Sequence, residues 1–259
     1  MSFDLTVLGG SAAWPNPGQG CSSYLLRAGH ESLVLDCGAD TLLELRKHVN
    51  YAAVDAVVLS HLHADHMLDL VPYRYGLVYG PVRPERPIPL WIPAGSRATL
   101  DALGLAVGGY SEPGMSFWDG AFDLLEYDPA IDLDIGSFHI AFAATQHFSA
   151  CYAMRISVGD RVLVYSADTG AIEPLIEFTR GAHLLLAEAT EDSVPVEPSP
   201  IRGHVSPSEA GLLGKQAGVE QLVLTHLWAE RPDADTLAAA RGAFDGVVSI
   251  AKPGLRLEI

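Results

Sequence analysis

The stretch Ser60-His61-Leu62-His63-Ala64-Asp65-His66 carries three of the chain's ten histidines and an aspartate within a few positions. Imidazole nitrogens with carboxylate oxygens form a donor set that favours zinc and also accepts iron, manganese or cobalt. His61 and His63, two apart, project to the same side of an extended backbone. Asp65 and His66, adjacent at a turn, can face a second point nearby. Four donors so close together suit a bimetallic centre, and the clustering argues against a plain polar loop that happens to hold histidines. The stretch opens a helix, whose N-terminus disfavours a bare cation unless a carboxylate offsets it; Asp65 supplies one.

Two cations need further ligands. His147 follows the apolar run Phe138 to Ala144, Asp168 follows Val162 to Tyr165, and His226 follows Gln221 to Leu224. Each lies just past the C-terminal end of a predicted strand, where α/β sheets place their sites. Singly, His147 and His226 read as structural histidines and Asp168 as a turn residue; jointly they complete a ligand set. Asp36 reads as an anchor that hydrogen-bonds a ligand histidine rather than as a ligand itself.

The elements around these residues follow from periodicity. Leu5 to Leu8, Ser23 to Leu26, Ser32 to Asp36, Leu90 to Ile92, Tyr152 to Val158 and Leu184 to Ala187 read as further strands. Val54 to Leu59 is an apolar run that suits a strand covered on both faces. Thr41 to Val49 is expected to be a helix capped by Thr41, and Ala64 to Tyr75 one helix bent at Pro72. Ser206 to Ala217 begins with Ser206, Pro207 and Glu209, the pattern of a capped helix start. Asp233 to Ala243 reads as a last helix, and Val247 to Ile250 and Leu255 to Glu258 as closing strands. Gly9-Gly10 lacks the spacing of a dinucleotide loop and reads as a tight turn after the first strand. Pro81 to Pro93 and Pro195 to Pro200 read as loops. Strands and helices alternate through both halves, which gives an α/β layered domain with mixed sheets.

Composition bounds the rest. At 259 residues and 49% hydrophobic content, with no linker or repeat, residues 1–259 are expected to form a single domain. Met1 leads into an apolar strand without a basic region, so no signal peptide is expected, and no apolar run reaches the length of a membrane helix. Cys21, Cys37 and Cys151 form no CxxC pair and read as reduced, buried thiols of a cytoplasmic protein. The net charge of −16 disfavours non-specific nucleic-acid binding but not a small anion at a locally positive metal site.

The order HxHxDH, then His147, Asp168 and His226, resembles the metallo-β-lactamase superfamily over nearly the whole chain. The resemblance implies a four-layer αββα sandwich with the site at one edge. It implies that His61, His63 and His147 hold one metal, that Asp65, His66 and His226 hold the other, and that Asp168 bridges two Zn2+, with Mn2+ or Fe as alternatives. Asp168 stands where β-lactamases usually carry Cys, which argues against antibiotic hydrolysis. Leu186-Ala187-Glu188-Ala189-Thr190 and Gly203-His204-Val205-Ser206-Pro207 resemble motifs of the transfer-RNA 3′-processing endonucleases, the ribonuclease Z branch. There the Glu orients the His, and the His protonates the leaving oxygen, which assigns those roles to Glu188 and His204. Asp65 is assigned to orient the attacking water. Ala187 departs from the motif, which has His at that place.

His147 and Asp168 stand 21 positions apart, too close for the substrate-gripping arm of the transfer-RNA enzymes. The chain is therefore more similar to the smaller cyclic-nucleotide phosphodiesterases. The expected activity is hydrolysis of a small phosphodiester by metal-activated water. Ribonuclease Z-type processing of transfer RNA, thioester or lactone hydrolysis, and a non-catalytic metal-binding module are the alternatives. A homodimer is expected from the resemblance, and Val71 to Trp118 reads as a lid, a dimer surface or a plain surface excursion.

Overall fold

The structure, a computed structural model, describes residues 2–108, 115–193 and 202–259. The first half runs β1 (Asp4–Ser11), β2 (Gly20–Cys21), β3 (Ser23–Ala28), β4 (Glu31–Leu35), α1 (Leu42–His48), β5 (Ala56–Val58), α2 (Ala64–Met67), α3 (Leu70–Tyr79), β6 (Ile88–Pro93), α4 (Arg97–Gly108) and β7 (Phe122–Tyr127). The second runs β8 (Leu133–Ile135), β9 (Phe138–Ala144), β10 (Tyr152–Val158), β11 (Arg161–Tyr165), α5 (Glu173–Thr179), β12 (Leu184–Glu188), α6 (Pro207–Ala217), β13 (Gln221–Thr225), α7 (Asp233–Arg241), β14 (Val247–Ile250) and β15 (Arg256–Glu258).

The strands form two sheets, in the orders β15-β1-β3-β4-β5-β6-β7, with β2 beside β1, and β14-β13-β12-β11-β10-β9-β8. Alternation along single strands shows why the sheets stack face to face under helices. In β3 and β4, Tyr24, Leu26, Leu33 and Leu35 enter the cluster between the sheets, together with Ile140, Met154, Leu163, Leu184 and Leu186. Their neighbours Leu25 and Val34 turn the other way, against Leu45 of α1, Leu70 and Tyr73 of α3 and Leu100 of α4. In the second sheet Val164, Leu185, Leu222 and Leu224 face Leu175, Leu213 and Ala240 of α5, α6 and α7. Both faces of each sheet are thus apolar, as buried parallel strands require, and the result is the expected αββα sandwich. None of the described helices is long and apolar enough to cross a membrane. The three cysteines are buried and unpaired.

Several local expectations need correction. Gly9 and Gly10 are not a turn: β1 runs through them to Ser11. A Cβ at Gly9 would strike the Cys21 carbonyl and one at Gly10 the Thr225 hydroxyl, so glycine here permits close approach of chains. Ala64 to Tyr75 is not one bent helix but two, α2 and α3, and Pro72 falls in the first turn of α3, where its missing N–H costs nothing. Thr41 stands at the N-cap of α1 as expected, but its side chain makes no capping bond: its hydroxyl donates to Gly38 O, and the Asp69 carboxylate accepts from Asp40 N and Leu42 N instead. Half of Pro81 to Pro93 is strand β6 rather than loop. The Pro195 to Pro200 loop lies outside the described residues. Buried Tyr73, Leu77, Leu100 and Trp118 make much of Val71 to Trp118 the outer helical layer on the first sheet.

Candidate metal centre

The parallel strands of both sheets point their C-terminal ends toward one rim, and the chain turns sharply there. Asp36 after β4, Ala167 after β11 and His226 after β13 adopt positive φ of 56°, 49° and 55°, the left-handed region that side chains avoid. Such strain clusters where a side chain must be aimed. The histidine stretch leaves β5, His147 leaves β9, Asp168 leaves β11, Glu188 ends β12 and His226 leaves β13.

All seven expected ligands converge. One donor atom from each of His61, His63, His147 and Asp168 lies within 4.8 Å of the others, and the same holds for Asp65, His66 and His226. Asp168 sits between the groups: Oδ2 is 3.7 Å from His61 Nε2, 3.6 Å from His147 Nε2 and 3.6 Å from His226 Nε2, while Oδ1 is 3.3 Å from His66 Nε2.

Hydrogen bonds fix which nitrogen three of the rings offer. His66 Nδ1 donates to Asp36 Oδ2 at 2.8 Å and His147 Nδ1 to Gly203 O at 2.9 Å. Thr190 Oγ1, 2.6 Å from His226 Nδ1, donates onward to Glu188 Oε2, so it accepts from the His226 ring. In each case Nε2 is the nitrogen left facing the cluster. His61 Nε2, His66 Nε2 and Asp168 Oδ1 are buried without a hydrogen-bond partner among the described residues. Buried polar atoms ordinarily find partners. Two ring nitrogens and a carboxylate oxygen left facing one another fit divalent cations as their partners.

The electrostatics agree for the carboxylate and for three of the rings. Burial opposes the charge on Asp168, but His226, His66 and His61 around it hold its carboxyl well below the usual range. Burial lowers the His61, His63 and His147 rings below the ordinary imidazole value and so favours the neutral, ligating form. Burial opposes the charge on His66 as well, but Asp168 and Asp36 outweigh it and raise that ring well above the ordinary imidazole value, so a cation bound there displaces a proton.

His204 and Glu188 stand beside this cluster. His204 Nδ1 is 3.1 Å from Glu188 Oε1, and a His204 nitrogen comes within 4.8 Å of donor atoms of Asp168 and His226. Burial depresses the His204 ring, but the hydrogen bond and charge of Glu188 outweigh it and raise the pKa to about 9. Glu188 is fully buried and also accepts from Thr169 N and Thr190 Oγ1, so its position is set on both oxygens. Asp65 Oδ2 accepts from Ala13 N–H at 2.8 Å and lies 3.0 Å from His226 Nε2.

Sequence reasoning gave no role to Tyr165, whose hydroxyl donates to Asp36, or to Ser60, which donates to Asp36 through both N and Oγ. Nor did it find Thr190, although that residue lies in the Glu188 motif. A cavity of about 330 Å³ lined by Trp91, Leu125 and Phe138 lies at the other end of the strands and takes no part in this cluster.

Two sheets under outer helices, with a histidine and aspartate cluster at one rim, define a metallo-β-lactamase-type metal-dependent hydrolase. A family model described as a Beta-lactamase superfamily domain matches residues 32–227, and the chain belongs to that superfamily. It is 35% identical over 252 residues to the uncharacterized protein Rv1339 of Mycobacterium tuberculosis, covering 96% of this chain and 89% of that one. The crystal structure of the metallo-β-lactamase fold protein YhfI from Bacillus subtilis superposes with a TM-score of 0.87 at 30% identity, over the full length of both chains. Ribonuclease Z of Haloarcula marismortui is 27% identical, covering 100% of this chain and 97% of that one.

Proposed function

We propose that the protein hydrolyses a small phosphodiester such as a cyclic nucleotide. The observation that carries this is the His204–Glu188 pair beside the ligand cluster. An alkoxide leaving from phosphorus needs a proton, whereas the thiolate of a thioester leaves without one. His61, His63 and His147 would hold one cation, Asp65, His66 and His226 a second, and Asp168 both, with zinc favoured by the donor set. When bound, the cations supply charge for the phosphodiester anion and acidify water.

The chain's own residues do the rest. Asp65, fixed by the Ala13 N–H, orients the attacking water. Glu188 holds His204 by Nδ1, which turns Nε2 outward and favours the protonated ring, and His204 Nε2 gives its proton to the leaving oxygen. In metal-loaded protein, His204→Ala is expected to lower kcat by about 10²–10⁴ while elemental analysis finds the metal content unchanged. Near wild-type kcat in that variant removes the acid role, and metal loss instead marks His204 as a ligand.

The ribonuclease Z relative favours a second reading, cleavage of an RNA diester. Against it, the 20 residues between His147 and Asp168 hold β10 and β11 and no arm. A panel of a cyclic nucleotide, bis-p-nitrophenyl phosphate, precursor transfer RNA and a thioester separates the readings. Turnover of the first two supports the small-diester reading, and cleavage of the RNA alone replaces it.

A further inference from the structure

Two large exposed aromatic side chains belong to segments that carry or hold the ligand cluster. Phe148, 65% exposed, follows His147, and its ring lies 6.1 Å from that of His204. Trp14, 50% exposed, follows Ala13, whose N–H donates to Asp65. Its indole stacks on that of Trp228, two residues beyond His226, with centroids 5.7 Å apart and planes 11° apart. Rings of this size are ordinarily well buried, so an exposed one beside a catalytic rim calls for an occupant.

The Trp14 pair is rigidly built. Ser11 bridges to Leu227, and Ala12 N donates to Leu227 O. Asn16 Nδ2 donates to Leu227 O, and Asn16 Oδ1 accepts from Ala229 N. Ala13 takes a left-handed φ of 57° between them. The loop carrying Trp14 is therefore fixed to the one carrying His226. Trp228 backs one indole face, and the Trp14 side chain remains half exposed among the described residues. Phe148 differs: it packs over Gly203, where a Cβ would meet its ring, and against His147 and His204, so it walls the acid.

We propose that Trp14, backed by Trp228, is a stacking platform for the flat base of a nucleotide whose phosphodiester lies at the metal centre. The inference rests on the phosphodiesterase reading and adds the residue by which a base-bearing diester of mononucleotide size is told from other small diesters. Stacking tolerates any base because every base has a π face, so Trp14 selects nucleotides over other diesters rather than one base over another.

The test compares wild type, Trp14→Ala and Trp14→Phe on a nucleoside 3′,5′-cyclic phosphate and on propane-1,3-diol cyclic phosphate, which keeps the six-membered diester ring and has no base. Trp14→Ala is expected to raise KM for the nucleotide roughly ten- to hundredfold at unchanged kcat, the signature of lost uniform binding. Trp14→Phe recovers most of the loss, and the base-free ester is unaffected. A nucleoside 5′-monophosphate titrated into metal-loaded protein quenches tryptophan fluorescence in wild type and not in Trp14→Ala. Equal KM changes on both esters, or an unchanged nucleotide KM with an altered oligomeric size, overturns the platform. Wild-type protein inert on both esters removes the phosphodiesterase reading and the platform's substrate with it.

Discussion

Asp36 shows how a residue that touches no substrate can decide the site. Its buried carboxylate accepts from Ser60 N at 2.6 Å, and from Ser60 Oγ, His66 Nδ1 and Tyr165 OH at 2.8 Å each. It therefore ties the start of the histidine stretch, the His66 ring and the second sheet into one geometry. An asparagine there keeps the shape but turns an N–H₂ toward groups that are themselves donors. Asp36→Asn is expected to weaken metal binding by about 10–100-fold, read by competition against a chelator, and unchanged affinity would show that His66 orients itself. Asp36 was legible in the sequence because a carboxylate at the end of an apolar strand, upstream of the histidine stretch, has few other duties. Tyr165 and Thr190 were not, since hydroxyls are common and only the fold brings these two to Asp36 and His226. The Ala13 N–H and Gly203 carbonyl carry no side-chain signal at all.

Helix α6 joins an element's stability to the acid's position. Ser206 and Glu209 form a reciprocal capping box, and Arg202 donates to both Glu209 oxygens. Arg202 O in turn accepts from Gln146 Nε2, and the next carbonyl, Gly203 O, holds His147. The segment carrying His204 is thus pinned at both ends. Ser206→Ala is expected to cost about 1 kcal/mol of stability, measured by denaturant unfolding. Burial opposes the Glu209 charge, but bonds from Arg202 and Ser206 hold its carboxyl below the ordinary value of 4.5. A carboxyl with a depressed folded pKa stabilises fully above its unfolded value and loses that contribution as pH falls through the folded one. The stability advantage of wild type over Glu209→Gln should accordingly be constant near neutrality and vanish in acid below 4.5; an advantage that persists there would locate it in packing rather than charge. This helix was readable from Ser206, Pro207 and Glu209, and β10 matched to the residue. The missed elements lacked such marks. Helix α4 contains Gly104 and Gly108, which make room for Phe117, α5 is short with a proline in its first turn, and β8 spans three residues. Strand β7 carries Asp123 and Glu126, with only its end residues buried, and so never alternates cleanly.

Over the whole molecule, a −16 surface surrounds a cluster built to hold cations. Among the described residues, eight of the 16 basic side chains are committed to ion pairs with neighbouring carboxylates, Arg202, Arg231 and Lys252 among them. A substrate with one phosphodiester feels the site's local charge once it is inside. A polynucleotide must lay many phosphates against the acidic surface as well, and its approach is governed by the global field. The two substrate classes should therefore respond differently to salt. Going from about 0.01 M to about 1 M shortens the screening length from about 30 Å to about 3 Å. Any kcat/KM on an oligoribonucleotide is expected to rise steeply over that range, because repulsion is being removed, while kcat/KM on a cyclic nucleotide changes far less. A fall with salt on the oligoribonucleotide would mean that its backbone is being held by basic residues, and would return the RNA reading to first place.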